Sequence, residues 1–307
     1  MGLRGGACAG YACCMQPQTD TNERTEVPTD AAGTGQDAPS STNADVAETV
    51  DTPDTVCGRT VEDWVAQDPG PAYRWSRLLT TWIWDFLFRL KSYGAEHVPE
   101  TGGFVFMPNH SSWYDQYFQG RGQRRLIRFM CKDTAFPLPI VGRYLMSIGA
   151  FPVRRGKGDT FALDVARALL RDGQPIVVYP EGTRYRKSEP LGTPKRGAAR
   201  LALETGTPIL PVATYGAKPR AALGGKRWHL PKVTTVYGEL MHFPGLEPTR
   251  ENVDAVRDQT WAEVQRLYDF AKSMHHTRRP KVRPGVVPPR ALAQPGHVAG
   301  DTATDTR

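Results

Sequence analysis

Between Tyr73 and Tyr93 the large apolar residues Trp75, Leu78, Leu79, Trp82, Ile83, Phe86, Leu87 and Leu90 recur at steps of three, four and seven. That is the stripe of one helical face. Arg74, Arg77, Asp85, Arg89 and Lys91 take the opposite face, so the spacing predicts an amphipathic helix over 73–93. Its longest apolar-and-hydroxyl run, Leu78 to Trp84, is far short of the roughly 20 residues a membrane span requires. Two placements stay open: a helix lying in a membrane interface with its arginines toward lipid phosphates, or one packed on the protein core.

Beyond Tyr93 the pattern alternates between short apolar runs and helical periodicity. Strands are predicted over 103–107, 126–131, 149–153, 175–179, 209–215 and 233–237. Helices are predicted over 112–120, 140–147, 161–171, 196–205 and 250–273. Such alternation defines an α/β fold, a mostly parallel sheet flanked by helices. Ligands of these sheets gather at the carboxyl ends of the strands.

Composition sharpens the domain plan. Residues 1–58 are Thr, Asp, Ala, Gly, Pro and Gln with few large apolar side chains, too little to offset the entropy of ordering. They are expected to form a disordered acidic tail, followed by one domain over 59–274 and a basic, Pro-rich, disordered tail over 275–307. Of the 307 residues, the first 60 hold three basic and nine acidic side chains, so the formal charge of +7 divides into −6 there and +13 beyond. A basic body implies an anionic partner: nucleic acid, an anionic membrane surface, or phosphorylated molecules and acidic carrier proteins. Charge does not choose among these. Cys8, Cys13, Cys14, Cys57 and Cys131 are too few and too uneven for a disulfide framework and point to a reducing compartment. The start Met1-Gly2-Leu3-Arg4-Gly5-Gly6 shows neither a myristoylation pattern nor a signal peptide, and secretion is not expected.

Candidate chemistry lies just past the strands. Pro108-Asn109-His110-Ser111-Ser112-Trp113-Tyr114-Asp115 sets a histidine and a carboxylate five positions apart. On a regular helix that step turns a side chain by about 140°. The two therefore meet only if His110 lies in the turn before a helix capped by Ser111 or Ser112, a geometry suited to a carboxylate that holds an imidazole. After Val177-Val178-Tyr179 come Pro180, Glu181, Gly182, Thr183 and Arg184, where a glycine permits close backbone approach and Thr-Arg offers a hydroxyl and a forked cation to an anion. After Val153 sit Arg154 and Arg155, able to converge with Arg184 on a phosphate. Pro208-Ile209-Leu210-Pro211-Val212 carries no charge and reads either as a wall or acyl groove at Pro211 or as a buried strand. Arg121, Arg124, Arg125 and Arg128 read as a solvated face or as an attractor for anions. The scattered histidines give no metal constellation.

Asn-His-Ser-Ser-Trp-Tyr-Asp (109–115), Gly-Ala-Phe-Pro-Val-Arg-Arg (149–155), Tyr-Pro-Glu-Gly-Thr-Arg (179–184) and Thr-Pro-Ile-Leu-Pro-Val (207–212) resemble, in order and spacing, the four motif blocks of the glycerolipid acyltransferase family. The 1-acylglycerol-3-phosphate acyltransferases are its best-known members. The resemblance spans about Tyr73 to Tyr237. It implies transfer of a fatty acyl group from an acyl-CoA or acyl-carrier-protein thioester to the hydroxyl of 1-acylglycerol-3-phosphate, giving phosphatidic acid, with no cofactor. It implies His110 as general base, Asp115 as its orienting carboxylate, and Glu181, Gly182, Thr183 and Arg184, helped by Arg155 or Arg154, as binders of the glycerol phosphate. Many members carry an acidic residue where this chain has Arg154, which favours phosphate or a larger anionic headgroup. The expected partners are a lysophospholipid acceptor, the acyl donor and a membrane surface, with no nucleic acid. The expected location is peripheral, on the cytoplasmic side of a membrane. Other readings are a glycerol-3-phosphate or other lysolipid acceptor, a thioester or ester hydrolase using His110 to activate water, and a non-catalytic membrane-surface module. The chain has no Gly-x-Ser-x-Gly elbow.

Overall fold

The computed structural model describes residues 55–68, 87–121, 125–154, 159–184, 191–217 and 232–276, with single positions at 71, 73, 75, 78 and 83. The expected tails over 1–54 and 277–307 lie outside the described residues, as does Arg155.

Seven strands form one sheet: β1 (Lys91–Tyr93), β2 (Val105–Pro108), β3 (Arg128–Lys132), β4 (Ala150–Val153), β5 (Ile176–Val177), β6 (Ile209–Tyr215) and β7 (Thr234–Tyr237). Their order is β1-β7-β6-β2-β5-β3-β4. Every pairing is parallel except β6 with β7. The helices are α1 (Val61–Val65), α2 (Asp115–Gly120), α3 (Pro139–Ser147), α4 (Thr160–Arg171), α5 (Gly197–Thr205) and α6 (Arg250–His276). This is the mostly parallel α/β sheet that the alternation predicts.

Strand β2 shows why the sheet is buried on both faces. Successive side chains of a strand point to opposite sides. Val105 and Met107 accordingly join Ile176, Ile209 and the apolar stripes of α4 and α5 in the larger core. The preceding residue Phe104 and the intervening Phe106 join Val177, Leu210, Val212 and Tyr237 on the other side. Helix α4 opens on Asp159, whose carboxylate accepts the Ala162 N–H, a cap that satisfies a donor without an intrahelical partner. It buries Phe161, Val165, Ala166, Leu169 and Leu170 along one face.

Three boundaries differ from expectation. Helical residues after Tyr73 end at Phe88, and Arg89 at φ 44° breaks the helix. Lys91–Tyr93 then pairs with β7, so the predicted helix over 73–93 is too long at its end. Trp75 is 72% exposed and Leu78 67%, whereas Phe88 is buried against Phe118 of α2, ring centroids 5.1 Å apart. Val56 is buried in the main core and bridges to Arg59, which moves the start of the body ahead of residue 59. His275 contacts Thr234 and Tyr215 from within α6, so His275 and His276 belong to the body and not to a tail. Helix α1, missed in the pattern, is announced by a Thr60–Asp63 capping box.

Candidate active site

The site forms where β2, β5 and β6 end side by side. Just past β2, Asn109 locks onto β6: its Nδ2 donates to the Thr214 carbonyl at 3.1 Å, and its Oδ1 accepts the Thr214 N–H at 2.7 Å. This double bond prolongs the β2–β6 ladder by one residue and fixes where His110 leaves the sheet.

His110 and Asp115 are in contact, Nδ1 to Oδ2 at 2.9 Å. The carboxylate is fully buried, while the imidazole keeps 18% of its side-chain surface. The same Oδ2 accepts N–H groups from Ser111 at 2.6 Å and Ser112 at 2.8 Å. Ser111 and Ser112 therefore do not cap the helix, as their position had suggested. Tyr114 is the residue before the helix, and the two serines serve through their amides, which fold the loop around the carboxylate. The His110 N–H goes to Glu181 Oε1 at 2.9 Å. These three amides, natural candidates for stabilising an oxyanion, are committed to carboxylates.

The imidazole rests on Tyr179, ring centroids 3.9 Å apart and planes at 25°. The Tyr179 hydroxyl donates to Gln119 Oε1 at 3.0 Å, and Gln119 Nε2 donates to the Asn109 carbonyl at 3.1 Å. Burial, with the Asp115 charge adding to it, holds the Tyr179 phenol well above its ordinary value, so it remains a protonated donor. A closed circuit thus runs from His110 through Tyr179 and Gln119 back to the residue before His110.

The Glu-Gly-Thr-Arg turn follows β5. Gly182 sits at φ 68°, left-handed backbone that a side chain strains. The Glu181 carboxylate is only 6% exposed and faces the backbone of His110 and Gly192. Burial, opposed in part by those amides, raises its pKa. Glu181, which the resemblance assigns to glycerol phosphate, accepts the His110 N–H and so braces the histidine loop. Thr183 is exposed. The Arg184 guanidinium lies 3.2 Å over the Trp113 ring, a cation–π contact.

Arg154, at the carboxyl end of β4 two strands beyond β5, sends Nη2 to the Thr55 carbonyl at 3.1 Å. Pro211 lies inside β6 opposite Met107 of β2, buried, its carbonyl accepting the Gly238 N–H. It is part of the sheet. Of the arginine cluster, Arg121 is exposed and Arg124 lies outside the described residues, whereas Arg125 donates to the carbonyls of Pro99, Gly102 and Gly173 and Arg128 is fully buried, donating to the carbonyls of Trp64 and Gln67. Both guanidinium forks hold loops. One cation escaped notice in the sequence. Lys195 donates its N–H to the Pro180 carbonyl at 2.7 Å, and its Nζ approaches the open side of Gly182. No local spacing announces it, since a loop returning from residue 191 delivers it. Among the described residues no group of three or more His, Cys, Asp or Glu is placed to hold a metal ion.

A mostly parallel α/β sheet thus carries an imidazole–carboxylate pair at the end of a central strand, with Arg184 on the turn after the adjoining strand. A family model described as Acyltransferase matches residues 89–215, from the approach to β1 through the end of β6. The 1-acyl-sn-glycerol-3-phosphate acyltransferase of Bacillus subtilis (strain 168) is 30% identical over 182 residues, covering 58% of this chain and 87% of that protein. The protein of the same name from Streptococcus pneumoniae is 21% identical over 207 residues, 66% of this chain and 75% of that one. The crystal structure of the 1-acyl-sn-glycerophosphate (LPA) acyltransferase PlsC from Thermotoga maritima shares the fold, at a TM-score of 0.50 and 21% identity over 67% of this chain and 84% of that one. The chain belongs to the glycerolipid acyltransferase family.

Proposed function

We propose that the chain transfers a fatty acyl group from an acyl-CoA or acyl-carrier-protein thioester to the free hydroxyl of 1-acylglycerol-3-phosphate, giving phosphatidic acid. The observation that carries this reading is the His110–Asp115 contact. With the carboxylate ionised, Nδ1–H is the donor, which leaves Nε2 as the basic nitrogen. Asp115 fixes that tautomer and stabilises the imidazolium that forms.

The acceptor hydroxyl gives its proton to Nε2 as its oxygen bonds to the thioester carbonyl carbon. The tetrahedral intermediate then expels the thiolate, which takes the proton back from His110. No residue of the chain is acylated. General-base help of this kind contributes about 10²- to 10⁴-fold. Arg184, Lys195 and the exposed Thr183 are assigned to the acceptor's phosphate, with Gly182 allowing close approach. Arg154 stands farther along the sheet edge. The reading needs no cofactor and places the protein peripherally on the cytoplasmic face of a membrane, where its acceptor resides.

The test supplies purified full-length chain with acyl-CoA or acyl-carrier protein and 1-acylglycerol-3-phosphate and follows phosphatidic acid. Product should form, and fall by at least ~10²-fold in His110→Ala. Free fatty acid without acylated product would assign a hydrolase instead. An acyl group trapped on Ser111 or Ser112 would overturn direct transfer.

A further inference from the structure

Large apolar side chains are exposed beside the site in one row. Trp113, between His110 and Asp115 in sequence, is 37% exposed; Leu138, Ile140 and Tyr144, on and just before α3, are 41%, 84% and 40% exposed. Trp113 lies two residues ahead of α2, whose Tyr117 meets Tyr144 of α3 hydroxyl to hydroxyl at 3.0 Å, and Tyr144 and Ile140, four apart on α3, are neighbours on its surface.

Nothing in the packing asks for this exposure. Gly142, on the inner side of α3, lies so close to the Phe136 carbonyl that a Cβ there would fall 1.9 Å from its oxygen, so the helix is pressed onto the core with its apolar outer row turned away. Ile140 in particular stands at the first turn of α3 with most of its surface outside the fold.

We propose that this row, from Trp113 across Tyr117 and Tyr144 to Ile140 and Leu138, is a docking ridge that enters the interfacial layer of an anionic lipid bilayer and sets the mouth of the His110 site against the lipid. Three observations select a bilayer as the occupant. The four exposed side chains offer the area of about two whole large residues, on the order of 400 Å². A stable protein partner covers roughly 800 Å² per side, whereas a few side chains suffice for shallow insertion.

The polar surroundings also fit anionic headgroups. Between Thr134 and Val153 the one charged residue is Arg143, and Arg143 and Lys132 are exposed. The neighbouring Asp133 carboxylate accepts the Thr134 N–H in its own turn. Finally, Trp75 and Leu78 expose a second pair of large apolar side chains, ahead of Phe88, which packs on α2. The inference rests on the proposed acyl transfer only for why the site should face a membrane; the ridge itself is read independently.

Vesicle binding of the full-length chain tests it, with vesicles of phosphatidylcholine alone and of phosphatidylcholine with phosphatidylglycerol. Wild type should sediment with the anionic vesicles, and the double variant L138D/I140D should partition at least ~10-fold more weakly, a change expected when an apolar anchor becomes an anion beside anionic lipid. Circular dichroism and turnover of a short-chain, monomeric acceptor should be unchanged in that variant. Equal vesicle binding by wild type and variant would overturn the proposal, as would binding abolished by W75S/L78S and untouched by L138D/I140D. A concentration-dependent dimer that I140D dissociates would give the ridge to a second copy and likewise overturn it. If no acceptor turns over, acyl transfer fails while the vesicle result still decides the ridge.

Discussion

At the scale of single residues, the most informative contact is the stack of Tyr179 on His110. An aromatic face attracts a cation, so the stack favours the imidazolium of the proposed proton abstraction, and the hydroxyl fixes the ring through Gln119. Tyr179→Phe keeps the stack and should lose less than about 5-fold in kcat. Tyr179→Leu should lose about 10-fold or more in kcat, because the imidazolium loses its support. Equal behaviour of the two variants would refute this division of labour.

Glu181 makes a second residue-scale case. Burial raises its pKa, so the protonated form fits the fold better. Stability from this group is therefore fully present below the ordinary carboxylate range and is lost as pH rises through the raised value. Glu181→Gln keeps an oxygen for the His110 N–H and removes the titration. Urea unfolding from about pH 4 to about pH 8 should show wild type losing stability against Glu181→Gln as pH rises.

Elements are held by groups that the periodicity does not reveal. Helix α1 is one and a half turns long, and the Arg128 guanidinium donates to the Trp64 carbonyl in its last turn and to the Gln67 carbonyl just beyond it. Burial lowers the pKa of Arg128 to about 10, and the cation persists because both carbonyls accept from it. Arg128→Met leaves them without a donor and should cost about 2–4 kcal/mol in thermal or chemical unfolding. Helix α3 depends on a missing side chain: with the Phe136 carbonyl oxygen 1.9 Å from a Cβ at Gly142, Gly142→Ala must move the helix or the turn before it. A loss of several kcal/mol, about 3 or more, is expected. A neutral Gly142→Ala would show that α3 is not seated as described.

At the scale of the whole molecule, what was legible in the sequence follows from period and position. The strands and helices from Val105 to His276 stand within a few residues of their predicted places because the strands, buried on both faces, are short apolar runs and the helices carry an apolar stripe. Strand β1, three residues long, lacks room to show a period, and its neighbour's helical stripe runs over it through Leu90. The His110–Asp115 pair was legible as a spacing, and its meeting in space depends on amides of Ser111 and Ser112 that no pattern of side chains encodes. Lys195 and Thr214 reach the site from distant segments, and Glu181 and Arg128 are turned inward to backbone groups. Contacts of that kind arise from the tertiary fold, which is why Arg125 and Arg128 of the arginine cluster serve as internal braces.

The same topology limits how the molecule can be made. Lys91 of β1 finds its partner in Thr234 of β7, and β7 is tied to the rest of the sheet through β6, which α6 covers with Val264, Leu267 and Ala271. Pairings that close such long stretches of chain are slow to form. During synthesis the first strand must therefore wait, its edge open, until almost the entire domain has left the ribosome, and the His110 loop cannot be set in its final place by the early half of the chain alone.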